Sequence, residues 1–269
     1  MNRRNDLAAL ALAAALCAPA PGALAQPAGP VQQRIMAANE LRVCIWPEYY
    51  GVSFRNAKSD TVTGLDADLA RDFARELGVR LAFVSSSFAR LIDDVTAARC
   101  DIAMMAVAIT KERQQRLAFS RPHLRTDVYL VTTRHNTRVR TWDDIDRPGT
   151  RIGVAAGTLH EPLMRSRLRH SELVVVDAPQ TREGELESGR IDAFMSDFPF
   201  TRKMVDYHDW VRVIAPPAPY FPVHAGFAVK PGDPAWLGRV DQFVAAVKAD
   251  GRLLRIATRY GLEPIVVTE

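Results

Sequence analysis

The chain of 269 residues has few of the residues that most often announce chemistry. It has three cysteines and six histidines, none in a CxxC or HExxH spacing, and the histidines are scattered. Nothing therefore points to a metal site, and no cofactor is expected. Net charge is also scarce. The formal value is +4, with arginines spread along the chain and mixed with acids. That is the pattern of a solvated surface, so nucleic acid is not expected as a partner. Beyond residue 25 no apolar run approaches the roughly 20 residues that a membrane span requires. There is no repeat of solenoid length and no low-complexity stretch after the N-terminal segment. What is present is an ordinary globular composition, 48% hydrophobic and 25% charged, enough for one large or two medium cores.

The first residues stand apart. Arg3 and Arg4 precede an apolar run from Leu7 to Ala18, followed by Ala23-Leu24-Ala25. This is the order of a secretory signal peptide, with cleavage expected after Ala25 and export to the periplasm. Cys17 raises lipid attachment, but Leu16 before it is bulky where a small residue belongs. Export makes a disulfide between Cys44 and Cys100 possible. Cys44 falls late in one predicted strand and Cys100 just before another, however. Parallel neighbours in straight register would hold them beyond bonding distance, so two buried thiols are expected.

From residue 41 the pattern alternates. Leu41 to Ile45 reads as a strand. Leu65, Leu69, Phe73 and Leu77 recur every four residues between charged ones, an amphipathic helix closed by Gly78. Val79 to Val84 is a strand, Phe88 to Val95 a helix, and Ile102 to Ile109 a strand. A second run follows. Val128 to Thr133, Arg151 to Ala155, Leu173 to Val176 and Ile191 to Ser196 read as strands, with helices from Thr158 and from Arg182 to Ser188. The segment from Ala235 to Tyr260 is helical and broken at Asp250-Gly251. Strands separated by helices imply parallel sheets, and two such runs imply two domains.

In open α/β sheets ligands lie beyond the carboxyl ends of the strands, and three of those ends are chemically unusual. After Ile102 to Ile109, Thr110 is a good N-cap and Arg113 falls in the first helical turn. A cation there opposes the helix dipole unless an anion is near. A carboxylate would suit both the guanidinium fork and the free N–H groups. A surface arginine paired with Glu112 or solvent is the plainer alternative, and spacing leaves both open. After Ala155, Gly157-Thr158-Leu159 presents backbone N–H groups to an anion, although Thr158 and Glu161 also fit a T-x-x-E capping box. Asp197 ends the strand in RIDAFMSD and could receive an ammonium group, or could cap a helix starting near Pro199. Trp46, Tyr49, Tyr50 and Phe88 are available as walls, or as core.

LRVCIWPEYYGVSFRN, TVTGLDADLARDFARELGVRLAFV, RCDIAMMAVAITKERQQRLAFSRPH, VAAGTLHE and LESGRIDAFMSD, in that order, resemble the blocks of bacterial solute-binding family 3. These are the periplasmic solute-binding proteins of polar amino acid ABC transporters. The likeness runs from about Leu41 to Leu262. It implies a two-lobed type II periplasmic-binding-protein fold of class α/β. Each lobe would be a mostly parallel sheet flanked by helices, with residues 41–126 plus 221–269 as lobe 1 and 127–220 as lobe 2, joined by two crossover strands. It also implies a monomer that captures a small carboxylate-bearing ligand, in the first instance an amino acid, by hinge closure and delivers it to a membrane permease. The matching positions make Arg113 the grip on the ligand carboxylate, with backbone donors at Ala108 and Leu159 beside Thr158. The Ala106 carbonyl and Asp197 would hold an ammonium group, and Trp46, Tyr49 and Phe88 would enclose the ligand. The chain departs from the family pattern at Ala108 (commonly Thr or Ser), Ala106 (often Gly), Trp46 (acidic in several cationic binders) and His123 (usually Tyr). A cationic ligand is therefore not assigned.

Two other functions remain open to the same resemblance. Exported cyclohexadienyl dehydratases are similar, and their chemistry needs a general acid near the leaving hydroxyl. Glu161 is the one candidate, and a capping role would also account for it. His123 and His160 read as surface or packing residues. A ligand-sensing module for a membrane receptor would need a separate partner.

Overall fold

The computed structural model describes residues 27–269. The signal-peptide reading of residues 1–25 and its Cys17 lie outside the described residues. The chain begins with α1 (Pro30–Ala38), β1 (Glu40–Ile45), β2 (Phe54–Arg55), β3 (Val62–Thr63), α2 (Leu65–Leu77), β4 (Arg80–Ser85), α3 (Leu91–Thr96) and β5 (Ile102–Ala108). It continues with α4 (Lys111–Gln114), β6 (Ala118–Phe119), β7 (Leu124–Thr126), β8 (Val128–Thr133), β9 (Arg151–Ala155), α5 (His160–Arg167), β10 (Glu172–Val176) and α6 (Arg182–Glu187). It ends with β11 (Ala193–Asp197), α7 (Phe198–Tyr207), β12 (Val211–Ile214), β13 (Val223–Val229), α8 (Pro234–Ala249) and α9 (Arg252–Arg259).

The strands form two main sheets. The first has the order β4-β1-β5-β13-β6, with β7 also paired to β13. The second has the order β10-β9-β11-β8-β12. The first three strands of each sheet are parallel, as crossover helices require. The remaining strands run antiparallel, because β8 and β13 arrive directly from the other sheet without a crossover helix. The chain passes between the sheets twice, at residues 126–128 and 214–223. Asp127 ties the two passages together, its carboxylate accepting from Tyr220 N at 2.9 Å and Phe221 N at 2.7 Å.

Helix α2 shows why the pattern was readable. Leu65, Leu69, Phe73 and Leu77 fall on one face and are buried, and Gly78 ends the helix in the left-handed conformation at φ 68°. Phe73 stacks between Trp236 and Phe243 of α8, at 5.5 and 4.5 Å between centroids. Each such buried ring contributes roughly 1.5–3 kcal/mol. The residues ahead of the first predicted strand, for which the sequence suggested no element, are helical over α1. Only Ile35 of that helix is buried, so its periodicity is weak, and its start is fixed from afar by Asp233, which accepts from Val31 N at 2.9 Å.

The cysteines correct the expectation of free thiols. Cys44 and Cys100 are disulfide-bonded, with Cα atoms 5.5 Å apart. Cys44 pairs in register with Ala103, so a straight chain would put Cys100 about 10 Å away. The chain instead bends into β5 through Ala98, whose φ is +56°. The bend is held by the buried Asp101, whose carboxylate accepts from Arg42 N at 2.8 Å and pairs with Arg34 and Arg42.

Candidate functional site

The nine residues expected to bind ligand, Trp46, Tyr49, Phe88, Ala106, Ala108, Arg113, Thr158, Leu159 and Asp197, line one cavity between the two sheets, whereas Tyr50, also offered as a wall, does not line it. Ala106 lies within β5 near its end, and the others end or follow a strand at its carboxyl end, where the helices that flank the sheet leave a crevice. From the first sheet come three rings that face one another. Trp46 lies 5.3 Å from Tyr49 and 5.4 Å from Phe88, and Tyr49 lies 6.0 Å from Phe88. The backbone of Ala106 is turned to φ +47°, a conformation that costs a residue with a side chain roughly 1–2 kcal/mol. It is held there by Asp66, buried in the first turn of α2, which accepts from Ala106 N at 2.6 Å and contacts His123 Nε2 at 2.9 Å.

Arg113 leaves the short α4 after Thr110, whose side chain accepts from Arg113 N. It is 7% exposed. Its guanidinium donates to Ala108 O at 3.1 Å on its own side and to Gly157 O at 3.0 Å on the other, and lies 5.2 Å from the Phe88 ring centre. Burial lowers its pKa to about 10. The surface-arginine alternative is thereby excluded.

From the second sheet, Asp197 ends β11 and caps α7, accepting from Phe200 N at 3.1 Å. Its other oxygen accepts from Tyr49 OH across the cavity. Burial raises the Asp197 pKa, against the pull of those two hydrogen bonds and of Arg182. Burial likewise raises the Tyr49 hydroxyl far above its ordinary value, reinforced by Asp197. The capping box expected at Thr158 and Glu161 does not form. Thr158 Oγ1 donates back to Ala155 O at 2.7 Å, while the Glu161 carboxylate accepts from Gly157 N at 3.1 Å and Arg165 at 3.0 Å. Helix α5 starts after Leu159, so Glu161 falls one position too early for the box.

Two lining residues, Arg182 and Ser196, were not expected at the site, and a third, His160, expected to be a surface or packing residue, is instead buried in the cavity wall. Arg182 had a signal. It follows the N-cap Thr181 at the first position of α6, the same conflict with the helix dipole that drew notice to Arg113. His160 had none. Both its ring nitrogens lack a hydrogen-bond partner among the described residues, and burial, then Arg182 and Arg113, push its pKa down to about 3.

That depression has a measurable sign. An unfolded histidine takes up a proton near pH 6.5, which the folded chain refuses until about pH 3. Stability therefore falls as pH drops below 6.5, by about 2–3 kcal/mol from this group at pH 4.5. Asp197, with its raised pKa, acts in the opposite direction. In urea titrations, His160→Asn should lose distinctly less stability than the parent between pH 7 and 4.5. Parallel losses would remove His160 as the cause.

The two sides meet closely. Gly157, at φ +71°, packs on the Phe88–Ala89 backbone, and a Cβ there would sit 2.4 Å from Ala89 N. Tyr50 stacks on Tyr207 at 5.1 Å and on Phe54 at 4.6 Å. In this arrangement the inner cavity measures only about 20 Å³, near the space of one water molecule. Two outer grooves of about 440 and 600 Å³ adjoin it. An amino-acid-sized solute fits the inner cavity only when the two sides part. Gly157→Ala should keep them parted, enlarging the radius of gyration in small-angle X-ray scattering. A scattering curve unchanged from the parent would refute the clash.

Comparison with known proteins places this geometry. The sequence profile of the bacterial extracellular solute-binding proteins, family 3, matches residues 41–263. The chain is 30% identical over 231 residues to the cyclohexadienyl dehydratase of Pseudomonas aeruginosa, covering 86% of this chain and 85% of that protein. It is 25% identical over 206 residues to an ABC transporter arginine-binding protein of Escherichia coli, covering 75% and 83%. Among solved structures, an ancestral amino acid-binding protein, a precursor of cyclohexadienyl dehydratase, superposes with a TM-score of 0.76 at 27% identity, covering 85% of this chain and 98% of that one.

Proposed function

The chain belongs to the bacterial extracellular solute-binding proteins of family 3, and from that premise we propose that it captures a small carboxylate-bearing solute, of which an amino acid is the leading class. Capture takes place in the periplasm and delivery is to an ABC transporter permease, with the chain acting as a monomer. The lobes are residues 41–126 with 221–269, and residues 127–220. The observation that carries the reading is Arg113. It is a buried guanidinium hydrogen-bonded to carbonyls on both sides of one cavity, with no carboxylate within 4.0 Å among the described residues. A buried cation without a counter-charge is costly, and a ligand carboxylate would supply that charge.

In this reading the carboxylate meets Arg113 and the backbone at Ala108 and Leu159, beside the turn at Thr158, whose own N–H and hydroxyl donate to Ala155 O. The Ala106 carbonyl and Asp197 face the opposite end of the ligand head, and Trp46, Tyr49 and Phe88 exclude water. Ligand contacts from both lobes favour the closed arrangement, which is the thermodynamic content of hinge capture. Thermal-shift screening against amino acids and small carboxylates tests it. A true ligand at one hundred times its Kd stabilises the native chain by about 2.7 kcal/mol. No stabilisation by any carboxylate would defeat the proposal.

Catalysis is the second reading, favoured by the dehydratase relative at 30% identity. Glu161 supports it poorly, because its carboxylate is occupied by Gly157 N and Arg165. Asp197 is the carboxylate that lines the inner cavity, and burial biases it toward the protonated form an acid needs. Formation of an aromatic product from prephenate or arogenate would establish this reading over simple capture.

A further inference from the structure

Arg182 is a second buried guanidinium in the same cavity, and capture of one carboxylate does not use it. It is 3% exposed. Its Nη1 donates to Met195 O at 2.8 Å, and its remaining nitrogens make no close hydrogen bond among the described residues. The guanidinium lies 4.5 Å from the Phe200 ring centre, 5.0 Å from Phe194 and 5.4 Å from Trp46. No carboxylate comes within 4.0 Å of it among the described residues. Glu183, Asp197 and Glu48 act on its charge only from farther away. Of these, Asp197 is biased toward neutrality by burial, and Glu48 is raised by burial while accepting from Trp46 Nε1 at 3.2 Å.

The two arginines are not side by side in function. Arg113 lines the inner cavity and the 600 Å³ groove, whereas Arg182 lines the inner cavity and the 440 Å³ groove. Each cation therefore guards a different throat of one small chamber. Two buried cations beside a single carboxylate leave the inner chamber positive, while Glu48, Asp177 and Glu183 line the 440 Å³ groove outside it, so repulsion of a cationic side chain and attraction of an anionic one act within the chamber.

We propose that the cavity takes a solute with two separated anionic groups, in the simplest case a dicarboxylate, one held by Arg113 and the other by Arg182. The proposal rests on the solute-binding reading above. Within it, Arg182 sets specificity.

Calorimetry on the full chain with L-aspartate, L-glutamate, glutarate, L-alanine and L-arginine tests it. At least one dicarboxylate should bind about thirty-fold or more tighter than L-alanine, the size expected for one buried charge contact, and L-arginine should bind weakest. Arg182→Met should erase the preference while leaving L-alanine within about threefold, and Arg182→Lys should restore part of it. If Arg182→Met weakened every ligand equally, the residue would be a brace between α6 and β11 and the proposal would fail. Tighter binding of L-alanine or L-arginine than of any dicarboxylate would overturn it while leaving solute capture intact. Binding of none of the five would overturn the dicarboxylate proposal, and solute capture falls with it only if the wider carboxylate screen is also blank.

Discussion

Replacing Arg113 by alanine is expected to abolish measurable ligand binding. Loss of a buried, hydrogen-bonded charge contact costs roughly 2–5 kcal/mol, or about thirty- to five-thousand-fold in affinity. Because Arg113 also donates to Gly157 O on the facing side, its removal takes away a contact that spans the closed lobes. The same substitution should act differently on the fold. Burial already pulls this guanidinium down to about 10, so the free chain bears a desolvation cost to hold it. Arg113→Met, which keeps the apolar stem against Phe88, should therefore melt no lower than the parent while binding as poorly as alanine. Unchanged affinity in calorimetry would mean that the carboxylate sits elsewhere. A large fall in melting temperature would mean that Arg113 is chiefly structural.

The second large effect concerns the disulfide. Cys44 and Cys100 are 56 residues apart, and the bond closes the chain from the end of β1 through β2, β3, α2, β4 and α3 into one loop. Constraint of the unfolded chain by such a loop is worth about 2–4 kcal/mol. The double substitution Cys44→Ala, Cys100→Ala should lower the melting temperature by roughly 5–15 °C, given about 2–4 °C per kcal/mol for a chain of this size. Both cysteines are buried at the first sheet and neither lines the cavity, so ligand affinity at 25 °C should be nearly unchanged. A melting point within 1–2 °C of the parent, under oxidising conditions, would mean that the bond contributes little.

Much of the architecture could be read because local pattern and final burial coincide. The four-residue spacing of Leu65 to Leu77 is the buried stripe of α2, and Asp250-Gly251 is the break between α8 and α9. The misses share a cause, which is information carried by distant residues. Helix α1 depends on Asp233, two hundred positions away. The disulfide depends on a bend that Asp101 pins through Arg34 and Arg42, and no local rule foretells a left-handed Ala98. The T-x-x-E spacing at Thr158 matched a cap, yet Gly157 turned so as to meet Ala89, and the helix began a residue later. Within the cavity, residues following strand ends were foreseeable from topology. Arg182 carried the same dipole conflict as Arg113 but lay outside the family blocks that drew attention. His160 became distinctive only through its surroundings.

Tyr50, clasped between Phe54 and Tyr207, touches no part of the inner cavity, and Tyr207 is 58% exposed. Yet this clasp joins the halves of the molecule, and under the proposed hinge capture it would bias how often they are shut before any solute arrives. Apparent affinity is intrinsic affinity scaled by that fraction. Under the proposed function, capture strength would thus be open to adjustment from the outer rim, with the selectivity of the chamber left as it is.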